Sequence, residues 1–145
     1  MRREALQVLL LILLGCGIGY GGEPKEQYIY VAPNAVQAKE FDIFTTITLT
    51  NTTDYWFNPR VYLIDPDGEI IWQLSPLLKS YGTWQKATTD IVTEDFRGSI
   101  WVVSPEPIVS SAFIHQISGK GSLSLLGTAK LERIGGARVE TLLNP

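Results

Sequence analysis

The amino-acid sequence predicts an all-β fold, an antiparallel β-sandwich of about 7–8 strands behind a separate N-terminal segment. Residues 60–73 place two runs rich in β-branched and aromatic side chains around Asp65-Pro66-Asp67-Gly68, as in a hairpin. Residues 41–51 alternate between apolar and polar side chains. Turn-forming residues also recur at short intervals without a helical pattern. A small closed barrel is the alternative architecture, and a parallel sheet is excluded because crossover helices are missing from the sequence.

The first residues have the layout of a secretory signal. Met1-Arg2-Arg3 is basic, and residues 5–14 are apolar except for Gln7. Leu13-Leu14-Gly15-Cys16 resembles the lipobox of bacterial lipoproteins, which implies cleavage before Cys16 and its acylation. Cys16 is the only cysteine, so an internal disulfide is excluded.

Two other interpretations of this segment are a plain signal peptide and an uncleaved anchor helix. The anchor is disfavoured because residues 5–18 are too few for a membrane-spanning helix, which needs about twenty apolar residues. The prediction is therefore a signal peptide over residues 1–15 and a lipidated, flexible tether over 16–27, rich in glycine. It implies attachment to a membrane through acyl chains (palmitate among them) on Cys16, facing the periplasm or the exterior of the cell envelope.

The charge of the chain limits its partners. The full sequence has a formal net charge of −3, and residues 1–15 contribute +1 through Arg2, Arg3 and Glu4, which leaves −4. This weak acidity argues against a nucleic-acid partner and against electrostatic attraction to anionic lipid. The acyl anchor would thus be the membrane attachment.

The predicted β-sandwich domain spans residues 28–134, and 135–145 are predicted to form a flexible tail. Pro33-Asn34 is expected to close the first strand, and Ser104-Pro105-Glu106-Pro107 to separate two later ones. In residues 41–51 the apolar face starts at Phe41 and continues through Leu49. The predicted strands are 28–32, 41–51, the two arms of 60–73, 83–92, 99–103, 108–117 and 122–134.

The turn in the hairpin is predicted from two residues. Pro66 has the φ that the second position of a type I turn requires, and Gly68 accepts the left-handed conformation that closes the reversal. The Asp-Pro-Asp-Gly sequence is explained by this turn, so a calcium site at Asp65, Asp67 and Glu69 is disfavoured.

Residues 41–134 have the order of a hairpin, a polar crossover and later strands. The residues that mark this order are Asn51, Asp65-Pro66-Asp67-Gly68, Gly98-Ser99-Ile100, Val102, Ser104 and Pro107-Ile108-Val109. In this arrangement the chain resembles the β-sandwich domain of the Anabaena-type sensory rhodopsin transducer group. The resemblance implies a β-sandwich that binds partners and forms oligomers, and it implies no catalytic residue.

Residues suited to catalysis or metal binding are few. His115 is the only histidine, and Ser111 lies about 13 Å from it along an extended strand, too far for a nucleophile–base pair. Glu94, Asp95 and Glu106 fall in predicted loops without a feature that would separate their pKa values, as glycoside hydrolysis requires. The sequence therefore predicts a protein that is not an enzyme and has no metal and no cofactor.

Aromatic residues outside the alternating strands give the candidate surface. Tyr55-Trp56-Phe57 are consecutive between two strands, so alternation cannot bury all three, and Trp84 follows the crossover. Such rings suit a protein or carbohydrate partner.

The predicted function is that of a lipid-anchored, extracytoplasmic binding or assembly module of the cell envelope, with Tyr55, Trp56, Phe57 and Trp84 as its ligand or partner surface. The alternatives are an envelope hydrolase that uses His115 and a structural subunit that self-associates into a homo-oligomer through its edge strands.

Overall fold

The computed structural model describes residues 27–128 and 131–133 and confirms an all-β sandwich. It has nine strands, with no α-helix in these residues. The strands are β1 (Tyr28–Gln37), β2 (Ile43–Asn51), β3 (Arg60–Ile64), β4 (Ile70–Leu74), β5 (Thr83–Ala87), β6 (Phe96–Ser104), β7 (Ile108–Ile117), β8 (Leu123–Thr128) and β9 (Glu132–Arg133). The predicted signal peptide 1–15, the tether apart from Gln27, and the tail 135–145 lie outside the described residues.

Two antiparallel sheets form the sandwich. One has the order β4-β3-β6-β1-β9, and the other has the order β5-β2-β7-β8. The core lies between them, and its largest fully buried apolar side chains are Ile47, Leu49, Leu63, Leu78, Ile100, Val61 and Val102. Trp72 is partly buried and packs against this cluster.

The hairpin between β3 and β4 has the predicted turn. Asp65 N donates to Glu69 O at 3.0 Å, and Gly68 N donates to Asp65 O at 3.1 Å. Gly68 has a φ of +92°, in the left-handed region that glycine tolerates. Asp65 Oδ1 also accepts hydrogen bonds from the amides of Asp67 and Glu69. These bonds stabilise the turn and give the Asp65 carboxylate a structural role.

The alternation predicted for residues 41–51 is confirmed from β2 onward. Thr45, Ile47 and Leu49 point inward and are fully buried. The buried Thr45 hydroxyl is satisfied, because it accepts from Val36 N and donates to Val36 O. Phe41 is a correction: it lies in a one-turn 3-10 helix (Lys39–Phe41) and is 57% exposed, since Asp42 adopts a left-handed conformation (φ +51°) before β2 begins.

Three other predicted boundaries differ. Pro33-Asn34 does not end β1 but forms an irregularity, at which the register with β6 shifts between Ala32 and Ala35. The strand predicted over 83–92 ends at Ala87, where a 3-10 turn (Thr88–Asp90) follows, and β6 begins earlier than predicted, at Phe96.

The last predicted strand, 122–134, is two strands. β8 pairs with β7 in one sheet, whereas β9 pairs with β1 in the other. Leu131, between them, is buried in the common core, which directs the chain from one sheet to the other.

The strand directions give the sandwich two distinct ends. The Tyr28 end contains the start of β1 and the connections 52–59, 75–82 and 105–107. The Phe41 end contains the connections 38–42, 65–69 and 118–122.

Candidate functional site

The loops of the Tyr28 end carry large exposed rings. Trp56 is 67% exposed, Tyr81 is 69% exposed and Tyr55 is 46% exposed, and Leu77, in the same connection as Tyr81, is 50% exposed. We call Tyr55, Trp56, Leu77 and Tyr81 the aromatic end. These four side chains come from two connections, 52–59 and 75–82, so their grouping depends on how the two loops are held together.

Asn51, the last residue of β2, holds the two loops through its side chain. The side chain is completely buried, and Nδ2 donates to Tyr55 O at 2.7 Å and Lys79 O at 3.0 Å, with Leu78 O at 3.3 Å. Oδ1 accepts from the amide and hydroxyl of Thr53, both at 2.8 Å. One amide group therefore satisfies carbonyls of both loops, a role that an apolar side chain cannot fill.

Direct backbone pairing joins the loops further. Phe57 and Leu78 exchange two hydrogen bonds, of 3.2 and 2.9 Å, and Tyr81 N donates to Thr53 O at 3.1 Å. Tyr81 has a φ of +53°, which non-glycine residues seldom adopt. The strained backbone directly under the most exposed tyrosine is thus fixed by hydrogen bonds to the neighbouring loop.

The phenol of Tyr55 faces an acidic residue of a third loop. A side-chain hydrogen bond with Glu106, followed by desolvation and the negative charges of Glu106 and Asp54, raises the pKa of Tyr55 above its usual value. The neighbouring carboxylate thus favours the protonated phenol, which donates this hydrogen bond. Tyr28, the first residue of β1, lies at this same end of the sandwich.

Of the four predicted surface residues, two are exposed, one is buried and one is partly buried. Tyr55 and Trp56 are exposed on one loop, as the run of three aromatics predicts. Phe57 is a correction: it is only 7% exposed, because its bridge to Leu78 turns it into the core. Trp84 is partly buried, since β5 pairs with β2 and presents this ring to the core beside Leu49.

Two residues of the aromatic end were not among the predicted surface residues. Leu77 and Tyr81 lie in a crossover whose proline and glycine indicate a loop, but the loop's position depends on Asn51. The available signal was the phase of β2: Asn51 continues the inward series of Thr45, Ile47 and Leu49, which predicts a buried amide that needs partners.

His115 lies on the outer face of the four-stranded sheet. Its ring is 5.4 Å from the Phe44 ring and 6.3 Å from the Phe113 ring, centroid to centroid. Its buried Nδ1 has no hydrogen-bond partner among the described residues. A hydrolytic triad requires a carboxylate on that nitrogen, so the described geometry supplies no oriented base.

The acidic residues singled out from the sequence have local structural roles. Asp95 Oδ1 accepts a hydrogen bond from Lys39 N at 2.9 Å, and Glu94 O accepts one from Gln37. Within residues 27–128 and 131–133, no group of three or more histidine, cysteine or acidic residues is arranged to hold a metal ion.

An open groove of about 600 Å³ lies toward the Phe41 end. It is lined by the irregular part of β1, the hairpin turn and the start of β6, including Asn34, Asp65 and Gly98. The groove is well separated along the strands from the aromatic end, so the two features are independent.

Among the residues whose structure is described, none belongs to a helix of the length and hydropathy needed to cross a bilayer. Comparisons with protein-family models, with curated proteins and with solved structures found no match to this chain. The likeness to the sensory rhodopsin transducer group and to lipoprotein signals therefore stays a prediction from sequence.

Proposed function

We propose that this protein is a lipid-anchored, extracytoplasmic β-sandwich that acts as a non-catalytic binding or assembly module of the cell envelope. The support for the anchor is the basic, apolar and lipobox-like order of residues 1–16, with Cys16 as the acylated residue. The support for binding is the aromatic end. A protein or carbohydrate partner and a bilayer surface are the classes of occupant that such rings suit.

The observation that carries the proposal is the fixed presentation of exposed rings. Trp56 and Tyr81 are about two-thirds exposed, although each could bury a large apolar area. Their loops are joined through Asn51 and the Phe57–Leu78 bridge, so little backbone freedom remains to be lost on binding. Pre-organised aromatic side chains of this kind are typical of binding hot spots.

Mass spectrometry of the mature N-terminus tests the anchor. We expect the peptide that begins at Cys16 to carry acyl chains, and an intact amino-terminal peptide with an unmodified thiol would contradict the proposal.

Substitution of Trp56 tests the surface. In Trp56→Ala we expect the affinity for detergent-solubilised envelope material to fall roughly tenfold, since removing an exposed aromatic of a binding surface costs about 1.4 kcal/mol or more. The measurement is the amount of solubilised envelope protein or carbohydrate that the immobilised variant binds, so that the acyl chains do not hold the complex together by themselves. Phe41→Ala is the matched control, because Phe41 is similarly exposed at the opposite end. Equal binding by both variants would remove the aromatic end from the function.

A second candidate function, self-association, is favoured by the form of β8. This strand lies at an edge of the four-stranded sheet, and its sequence has neither a charge nor a proline. Leu123, Leu125 and Leu126 are 60%, 59% and 51% exposed. Apolar edge strands without such protection pair readily with other chains.

The self-association hypothesis predicts that Leu125→Lys lowers the association of the protein in sedimentation experiments, since a charged side chain on an edge strand opposes pairing. Phe41→Lys is the control and should leave association unchanged, because Phe41 is similarly exposed but lies in the 3-10 turn before β2 and not in an edge strand. A wild-type protein that stays monomeric at all concentrations would contradict this candidate.

A further inference from the structure

We infer that the occupant of the aromatic end is the interfacial layer of the same bilayer that holds the acyl chains of Cys16. This inference rests on the proposed acylation and names the partner of the proposed binding surface. It is based on where the chain enters the sandwich, on the chemistry of the exposed side chains, and on the balance of nearby charges.

The chain enters the sandwich at the aromatic end. Tyr28 begins β1 and pairs with Ser104, directly before the 105–107 connection that carries Glu106. The connections 52–59 and 75–82, which carry the exposed rings, leave the sandwich at this same end, because β2 and β4 both finish there. Cys16 precedes Tyr28 by twelve residues, which span at most about 42 Å even when fully extended. Acyl chains on Cys16 would therefore hold this end of the sandwich within that distance of the membrane. Such tethering favours contact between the exposed rings and the bilayer.

The exposed side chains have the chemistry of the bilayer interface. Tryptophan and tyrosine combine an apolar ring with a polar N–H or O–H, and they are enriched where hydrocarbon meets headgroups. Trp56, Tyr55 and Tyr81 supply three such rings, and Leu77 adds a purely apolar side chain. These side chains lie on the connecting loops. The open groove is lined by other residues and lies toward the Phe41 end. Protruding rings suit a soft, planar surface better than a small ligand that needs a cavity.

The described charges at this end nearly cancel, with Arg60 at the start of β3 as one of three cations against two acidic residues. Lys79 and Arg133 are exposed on this side, and Arg133 lies over the Tyr28 ring at 4.6 Å. Asp54 and Glu106 are their acidic counterparts near Tyr55. Docking would thus depend on ring insertion rather than on attraction to anionic lipid, and it should occur on zwitterionic bilayers and tolerate salt.

The test uses the full-length acylated protein, reconstituted into phosphatidylcholine vesicles that contain brominated acyl chains, which quench nearby tryptophan. We expect quenching of the wild-type emission and loss of most of that quenching in Trp56→Phe. Trp72, Trp84 and Trp101 are all partly buried and remain as unquenched reporters of folding. Raising the salt concentration should leave the quenching unchanged.

A tryptophan at the other end provides the matched control. The double variant Trp56→Phe/Phe41→Trp moves the exposed indole to the Phe41 end, and we expect its emission to escape quenching. Equal quenching of the two positions would overturn the inference, because the sandwich would then have no preferred end toward the bilayer.

The outcomes separate the inference from the function on which it rests. Acylated Cys16 with an unquenched Trp56 would overturn bilayer docking while leaving the anchored binding module intact. If the protein in isolated envelopes then cross-links to an envelope protein from positions next to Trp56, the occupant is a protein partner and bilayer docking is overturned. An unmodified Cys16 in the mature protein would overturn the anchor, and bilayer docking with it.

Discussion

Replacing Asn51 by alanine should lower the free energy of unfolding by about 3–4 kcal/mol, the net value of roughly four hydrogen bonds at a buried site. The truncation leaves the carbonyls of Tyr55 and Lys79 and the amide of Thr53 without the partner that now satisfies them. For a domain of this size the midpoint of thermal unfolding should fall by about 15–25 °C. The measurement is thermal and denaturant unfolding followed by circular dichroism.

Asn58 provides the control, because it is an exposed asparagine in the same loop. Asn58→Ala should change the unfolding free energy by less than about 0.5 kcal/mol, as is usual for surface substitutions. If Asn51→Ala were as stable as Asn58→Ala, the two loops would be held by their backbone pairing alone, and Asn51 would lose the organising role given to it above.

Asn51→Ala also tests how the positions of Tyr55 and Tyr81 affect binding. Asn51-Thr52-Thr53 has the Asn-X-Thr pattern of an N-glycosylation site. Asn51 is fully buried and its side chain is fully hydrogen-bonded, so the folded domain is unsuited to carry a glycan there. An effect of Asn51→Ala on binding would therefore act through the position of Tyr55 and Tyr81, not through a lost sugar.

Gly98→Ala should also be strongly destabilising, by about 3 kcal/mol, at the upper end of the usual cost of overpacking. A Cβ at this position would overlap Ile64 O and would meet Asp65 Cα at 3.1 Å. Both atoms belong to the backbone at the end of β3, so no side-chain rotation can relieve the contact. Relief requires β3 to move away from β6 beside the hairpin turn. The unfolding free energy, measured by denaturant titration, checks this expectation.

Gly127→Ala is the matched control for that variant. Gly127 lies in β8, and a Cβ there would meet no atom within 4 Å. Alanine in a strand loses less backbone entropy on folding than glycine, so Gly127→Ala should be neutral or slightly stabilising. If both variants lost the same free energy of unfolding, the close approach of β3 and β6 would not be the cause of the destabilisation in Gly98→Ala.

Much of the fold could be predicted because its strongest signals are local. The strand over 108–117 has the predicted bounds, since Pro107 and Ser118-Gly119 mark both ends. Asp65-Pro66-Asp67-Gly68 specifies its own turn through φ values and a side-chain acceptor. Such features need no knowledge of the rest of the chain.

The boundaries that sequence reasoning missed depend on tertiary contacts. Pro33 interrupts a ladder locally, but Ala35 and Gln37 still pair with β6, so the strand continues beyond the irregularity. The split between β8 and β9 is decided by burial of Leu131 between the sheets, which has no local signature. Strand order is likewise set by which faces cover the common core.

The candidate site was predictable only in part for the same reason. Three consecutive aromatics indicate that some ring must be exposed, but the Leu78 bridge decides that Phe57 is the buried one. Tyr81 comes close to Tyr55 and Trp56 only through the folded crossover. The sequence therefore indicates the kind of surface, and the tertiary structure selects its members.

The place of β1 inside its sheet has a mechanical consequence. β1 lies between β6 and β9, and it is matched with β6 at eight positions from Tyr28 to Gln37. Tension applied through the chain that precedes Tyr28, against a load at the Phe41 end, acts lengthwise along this strand. It must then shear the whole β1–β6 ladder at once rather than peel one bond at a time. A protein held by the proposed acyl anchor on Cys16 would therefore resist unfolding by a force applied through its N-terminal chain.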